Sequence, residues 1–276
     1  MDHYCVIGNP VEHSKSPWIH ARFAQLTGQA LQYDKQLVPL DGFVEALTAF
    51  RACGGKGCNV TVPFKLEAAD LATSLTPRAE LARACNTLRF DGAAEIHADN
   101  TDGVGLVNDI QQNAGVRLTG RDLLLIGAGG AAAGVLGPLL AARPARVVVA
   151  NRTQAKAVAL VERHAALASG LGVDLSASSL ESVAGAFDIV INGTASSLGG
   201  AGVPVGPGVL KRGALACDMM YGPAAQSFML WARGHGAIAR DGLGMLVEQA
   251  AESFLVWRGV RPPSAQVLAE LRATLG

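Results

Sequence analysis

Asp122-Leu-Leu-Leu-Ile-Gly127-Ala-Gly129-Gly130-Ala-Ala-Ala133-Gly134 reads as a strand, a tight turn and the start of a helix. Asp122–Ile126 is a dense aliphatic run of strand length. The Ala-rich segment Ala131–Ala142 predicts a packed helix, and Arg146–Ala150 predicts a second strand. Such a turn suits a dinucleotide pyrophosphate: glycines let the backbone approach it, and the first N–H groups of the helix face its negative charge. A Gly-x-Gly pattern alone is weak in a chain with 33 glycines; the strand–turn–helix–strand context gives it weight. Gly127, Ala128, Gly129, Gly130 and Ala131 are candidate cofactor contacts.

The residues just after the second strand select the cofactor. NAD-binding units place Asp or Glu there to accept hydrogen bonds from the ribose 2′-hydroxyl. This chain reads Ala150-Asn151-Arg152-Thr153, with Lys156 three residues on. A carboxylate would repel a 2′-phosphate, whereas a guanidinium pairs with it as a bidentate fork and can stack on adenine. Asn151, Arg152, Thr153 and Lys156 therefore predict NADP. The plainer alternative is a solvated arginine at a helix start.

On both sides the same alternation continues. Strands are expected at Tyr4–Ile7, Gln32–Val38, Gly57–Val62, Thr87–Phe90 and Ala94–Ala98, then at Asp188–Asn192, Ala214–Asp218 and Ala237–Ala239. Helices are expected at Pro17–Thr27, Gly42–Cys53, Thr101–Ala114 and Gln154–Ser169, with two more at Gly244–Gly259 and Ser264–Leu275. This predicts an α/β fold with largely parallel sheets, and a boundary near Asn100–Val104 where the nucleotide-binding series begins.

Composition removes several function classes. The 276 residues carry 23 basic and 23 acidic side chains, a formal charge of zero, with no basic stripe for nucleic acid. Mean hydropathy is +0.27, and Leu123–Ala142 is uncharged and nominally long enough to span a bilayer. Its five glycines and Pro138 suit a buried strand, turn and packed helix better. The N-terminus lacks a positive n-region followed by an apolar segment, so a cytoplasmic location is expected. The five cysteines are scattered, a poor disulfide framework; Cys53 and Cys58 have no second ligand pair nearby, read as small buried hydrophobes, and no metal is expected.

Four further motifs carry polar side chains at strand ends, where open α/β sheets bind ligands. In Ile7-Gly8-Asn9-Pro10-Val11-Glu12-His13-Ser14-Lys15-Ser16-Pro17, Ser16 reads as a helix N-cap before Pro17, which leaves Ser14 unexplained. Gly57-Cys58-Asn59-Val60-Thr61-Val62-Pro63-Phe64-Lys65 places a lysine at a turn or first helical turn, which a helix dipole disfavours. The others are Cys85-Asn86-Thr87 and Ala98-Asp99-Asn100-Thr101-Asp102-Gly103. Asp102 could serve only the start of its helix; Lys65 and Asp102 facing one pocket would instead form a proton-transfer pair.

Ser-x-Ser-Pro, Asn-Val-Thr-x-Pro-x-Lys, Asn-Thr, Asn-Thr-Asp-Gly, Gly-Ala-Gly-Gly-Ala and Asn-Arg-Thr occur in the order that characterises the shikimate/quinate dehydrogenase family, which the chain resembles. Asp218-Met-Met-Tyr221 and Asp241-Gly-Leu-Gly244-Met-Leu-Val-Glu-Gln249 extend the resemblance from Ile7 to Trp257. It implies an N-terminal α/β substrate domain and a Rossmann-type NADP-binding domain with a cleft between them. The C-terminal helices would return to the first domain, giving residues 1–102 plus 243–276 and residues 103–242. It further implies that Lys65 and Asp102 flank the reacting carbonyl and that Ser14, Ser16, Thr61, Asn86, Tyr221 and Gln249 bind substrate. Thr194, Met219 and Gly242 would line the nicotinamide side. Gly193 stands where the family often has Ala, expected to loosen that turn slightly. The expected activity is reversible, NADP-dependent reduction of 3-dehydroshikimate, by a monomer or homodimer without membrane or nucleic-acid partners. A quinate-preferring enzyme is the nearest alternative. A non-catalytic NADP or shikimate sensor would predict erosion of Lys65 or Asp102, and both are present.

Overall fold

Two six-stranded sheets, one in each of two units, organise the computed structural model, which describes residues 1–92, 94–194 and 203–275. The first unit comprises Met1–Gly105 and Leu246–Gly276. It begins β1 (Asp2–Gly8), α1 (Ser16–Thr27), β2 (Leu31–Leu37), α2 (Phe43–Ala52), β3 (Gly57–Val60) and α3 (Lys65–Asp70). It continues β4 (Ser74–Leu75), α4 (Pro77–Ala82), β5 (Thr87–Asp91), β6 (Glu95–Asp99) and the start of α5 (Asp102–Asn108).

The sheet order is β2-β1-β3-β5-β6-β4. β1 is parallel to β2 and β3, but β5 runs antiparallel to both β3 and β6. β4 is parallel to β6, so this sheet is mixed with three of its five pairings parallel, and the expectation of largely parallel sheets holds over the two sheets together. Residues 92–94 are too few for the crossover that parallel neighbours need, roughly a dozen residues, so β5 and β6 pair as a hairpin. Alternation along β1 sends Cys5 and Ile7 to a core with Phe43, Phe50 and Phe64, and Tyr4 and Val6 to the face carrying Tyr33.

The second unit, Leu106–Met245, contains β7 (Asp122–Ile126), α6 (Gly130–Ala141), β8 (Arg146–Ala150), α7 (Gln154–Leu171) and β9 (Asp174–Ser178). β10 (Phe187–Asn192), β11 (Leu210–Asp218), α8 (Gln226–Gly234) and β12 (Ile238–Arg240) complete it. All neighbours in the order β12-β11-β10-β7-β8-β9 are parallel, the doubly wound arrangement of a dinucleotide-binding fold. Both faces are covered: Leu123 and Leu125 enter one core, Leu124 and Ile126 the other. All four are fully buried, each contributing roughly 1.5–3 kcal/mol of apolar transfer. α6 is buried nearly all round, which explains its lack of polar residues. Among the described residues no helix is long and apolar enough to cross a membrane.

The helix expected over Thr101–Ala114 is α5 followed by a π-helical turn at Asp109–Asn113. Ala114 N–H bonds Asp109 O, and the Asp109 carboxylate takes both Arg240 and Asn113. The last helices, α9 (Leu243–Arg258) and α10 (Ser264–Leu275), bring the chain back to the first unit. There Trp257 stacks on Tyr4 and donates to Leu88 O at 2.9 Å, and Arg22 forms a bidentate pair with Glu270.

Candidate functional site

In the first unit, Lys65 opens α3 and Asp102 opens α5. The Lys65 ammonium donates to Asp102 Oδ2, with the two side chains 18% and 9% exposed. Asp102 Oδ1 accepts from Asn86 Nδ2 at 2.8 Å, so both carboxylate oxygens are engaged. Asn100 Oδ1 takes the Asp102 amide, which relieves Asp102 of a purely capping role. Asn86 also holds the Thr101 amide on its Oδ1, and its Nδ2 lies 3.2 Å from Gln249 Oε1. Gln249 comes this close because Gly105 has no side chain: a Cβ there would lie 2.6 Å from the Gln249 Cβ.

Behind this cluster runs a buried polar chain. The Tyr33 hydroxyl donates to Asn59 Oδ1 at 2.7 Å, and Asn59 Nδ2 reaches Asn86 O, Thr87 Oγ1 and Ser253 Oγ. Reasoning from the sequence omits Asn59, Thr101 and Ser253 from the site. Asn59 and Thr101 stand inside the strand-end motifs; Ser253, one serine on an otherwise ordinary helix, carries no signal.

Ser14 and Ser16 follow β1, and Thr61 follows β3, at the carboxyl ends of adjacent parallel strands. The N-cap reading of Ser16 is corrected. α1 begins at Ser16 itself, Lys15 occupies the cap position without a side-chain bond, and Ser14 Oγ accepts the Ser16 amide at 3.2 Å. Gly8 permits the close approach of Thr61, whose Cγ2 would overlap any Cβ there. Cys58 is buried, as expected, but Cys53 is exposed at the end of α2, where the chain turns outward.

In the second unit, Gly127 has φ +110°, and a Cβ on it would lie 3.1 Å from Gly193 O and Thr194 Cγ2. Gly129 is the extended cap of α6, with open space beside it and Gly130, and no acidic residue lies in the first turn. One strand over, Asn151 Nδ2 ties back to Thr153 O at 2.9 Å. Arg152, Thr153 and Lys156 are exposed, and among the described residues no ion pair engages either cation. A bare helix N-terminus beside two uncommitted cations fits a ligand with a pyrophosphate and one further phosphate.

Thr194, Met219 and Gly242 lie beyond the ends of β10, β11 and β12. Gly242 N–H bonds Met220 O at 2.8 Å. Gly193 N–H bonds Ile126 O at 2.8 Å, and Met219 Sδ sits 3.2 Å from where a Cβ would be. Tyr221 is half-buried in the same unit, and burial raises its phenol pKa.

Comparison with known proteins gives one consistent family. Its models match as the shikimate dehydrogenase substrate binding domain over residues 6–88, shikimate / quinate 5-dehydrogenase over 109–199, and the shikimate 5′-dehydrogenase C-terminal domain over 242–272. A shikimate dehydrogenase (NADP(+)) from an Acidovorax species is 67% identical over 274 residues, covering 99% of this chain and 97% of that protein. The crystal structure of an Ael1 enzyme from Pseudomonas putida is 46% identical with a TM-score of 0.90, covering 98% of both chains. That of shikimate 5-dehydrogenase from Thermus thermophilus, in complex with NADP(H) and shikimate, is 28% identical with a TM-score of 0.85 and covers both chains completely.

Proposed function

The chain belongs to the shikimate dehydrogenase family, and from that premise we propose how its residues divide the work of the family reaction. It is an NADP-dependent oxidoreductase: 3-dehydroshikimate, NADPH and a proton give shikimate and NADP⁺, reversibly. In this family the step serves aromatic amino-acid biosynthesis through chorismate.

The observation that carries the residue assignment is the Lys65–Asp102 pair with Asn86 fixed on its second oxygen. NADPH, when bound, supplies the hydride. Lys65 delivers the proton to the ketone oxygen in reduction and removes it from the hydroxyl in oxidation. Asp102 aims the ammonium and accepts from a neighbouring ring hydroxyl. Asn86 keeps the carboxylate turned so that one oxygen always faces Lys65. Ser14, Ser16, Thr61, Gln249 and Tyr221 supply neutral hydrogen-bonding groups for the substrate carboxylate and ring hydroxyls, holding the carbonyl in one orientation. Gly127, Ala128, Gly129, Gly130 and Ala131 hold the pyrophosphate; Asn151, Arg152, Thr153 and Lys156 hold the 2′-phosphate. Thr194, Met219 and Gly242 line the nicotinamide. A cytoplasmic location, a monomer or homodimer, and no membrane or nucleic-acid partner belong to the same reading; the zero formal charge speaks against a polyanionic partner.

The test is initial-rate turnover at 340 nm, crossing shikimate and quinate with NADP⁺ and NAD⁺. Fast turnover with shikimate and NADP⁺ alone is expected; strong quinate turnover would overturn the substrate assignment. In the same assay Arg152→Ala raises the KM for NADP⁺ about 10- to 100-fold, the loss of one charge-assisted contact, and leaves NAD⁺ kinetics nearly unchanged. An equal effect on both cofactors would show that Arg152 does not meet the 2′-phosphate.

A further inference from the structure

Asn192 and Asp218 are register partners at the carboxyl ends of the adjacent parallel strands β10 and β11. Both are almost completely buried, at 2% and 1% exposure. Asp218 Oδ2 accepts from Asn192 Nδ2 at 2.9 Å, and Oδ1 accepts the Met220 amide at 2.8 Å. Asn192 Oδ1 in turn accepts the Thr194 amide at 3.2 Å and the Thr194 hydroxyl at 2.7 Å. Met219 N–H bonds Asn192 O, and Gly242 N–H bonds Met220 O. A single buried pair thus sets the backbone course of two loops and, through Met220, leans on a third.

The direction of these bonds is fixed by chemistry. An ionised carboxylate only accepts, so it must face the NH2 of Asn192; that leaves the Asn192 carbonyl no choice but to face Thr194. Among the described residues Asp218 has no cationic partner, and burial raises its pKa against the amide donors that hold it. A buried carboxylate without a cation is expensive, and an apolar residue would end the strand at lower cost. Its presence is explained by the orientation that only an acceptor pair imposes on Asn192.

We propose that Asp218, acting through Asn192, is a positioning residue that fixes Thr194 and Met219 for the nicotinamide end of the cofactor. This rests on the placement of Thr194, Met219 and Gly242 beside the nicotinamide. Asp218→Asn offers one acceptor where two are needed, so its NH2 meets either the Asn192 NH2 or the Met220 amide, and flipping Asn192 instead turns the Asn192 NH2 onto the Thr194 amide. Asn192→Asp sets two carboxylates against each other. The double variant Asn192→Asp/Asp218→Asn restores every donor–acceptor match at unchanged net charge.

The experiment measures the affinity of the parent, both single variants and the double variant for NADP⁺ and for adenosine 2′,5′-bisphosphate, which lacks the nicotinamide half. Each single variant is expected to weaken NADP⁺ about tenfold, the scale of one frustrated buried hydrogen bond, and to leave the bisphosphate within about twofold. The double variant should recover to within about threefold of the parent, the non-additivity expected of directly coupled residues. Singles that weaken both ligands equally, or a double variant no better than the singles, would overturn the clamp. Met219→Ala separates the two levels: if it lowers NADP⁺ affinity alone while the double variant stays unrescued, the clamp falls and the nicotinamide placement stands. If Met219→Ala leaves the ratio of the two affinities unchanged, the placement itself fails.

Discussion

Lys65→Ala is expected to lower kcat by about 10² or more in both directions, with a much smaller change in NADP⁺ affinity, if the ammonium is the proton donor and acceptor. The variant also strips Asp102, a nearly buried carboxylate, of its cation. Breaking such a pair costs about 3–5 kcal/mol when one charge is left behind, so a fall in activity could reflect a collapsed site. Lys65→Arg removes the ambiguity. A guanidinium keeps the ion pair with Asp102 but does not give up a proton at any working pH. We therefore expect Lys65→Arg to hold the melting temperature near that of the parent while kcat stays as low as in the alanine variant. Near-parent turnover by Lys65→Arg would mean that positive charge alone is required, and that the proton comes from elsewhere. A defect confined to the KM for shikimate would make Lys65 a binding residue only.

How legible these features were depended on how local their causes are. The β7–α6 unit could be read because a strand-length aliphatic run, a glycine turn and an Ala-rich helix are consecutive in the chain. Lys65 stood out because a lysine at a helix N-terminus opposes the helix dipole, so another partner had to be sought for it. β9 gave no such signal: Asp174-Leu-Ser-Ala-Ser is polar and small, and as an edge strand it pairs only with β8. α4 and α8 likewise lack a clear local signal, the first being only six residues long. Asp109, which opens the π turn after α5, pairs with Arg240 across 131 positions, a contact no local pattern records. Ser253 reaches Thr87 across 166 positions, and it joins the site only once α9 returns to the first unit. Asn192 and Asp218 sat in plain view beside Thr194 and Met219, but nothing in their spacing shows that the strands carrying them are neighbours.

Resistance to acid is expected to hinge on His20. Its ring is fully buried, stacks on Tyr33 at 4.2 Å and meets the edge of Phe23, and neither ring nitrogen has a hydrogen-bond partner. Burial pushes its pKa down from 6.5 to about 3. The unfolded chain binds a proton at this imidazole from pH 6.5 downward, while the folded chain refuses it until about pH 3. In that window the unfolded state carries more protons, so stability rises with pH and is lost as pH falls. The slope is about 1.4 kcal/mol per pH unit, on the order of 5 kcal/mol over the whole interval, comparable with the total stability of many domains. His20→Phe keeps an aromatic ring in the stack and removes the titration. Denaturant unfolding at pH 7 should show only the packing difference between the two proteins. Between pH 7 and pH 4 the balance should move toward the variant by about 3 kcal/mol. Other groups with shifted pKa values, among them Asp99 held low by Arg78 despite its burial, respond alike in both proteins and cancel in the difference. If the two stability curves ran parallel down to pH 4, His20 would have to be protonated within the fold, and a cation would have to be tolerated between Tyr33 and Phe254.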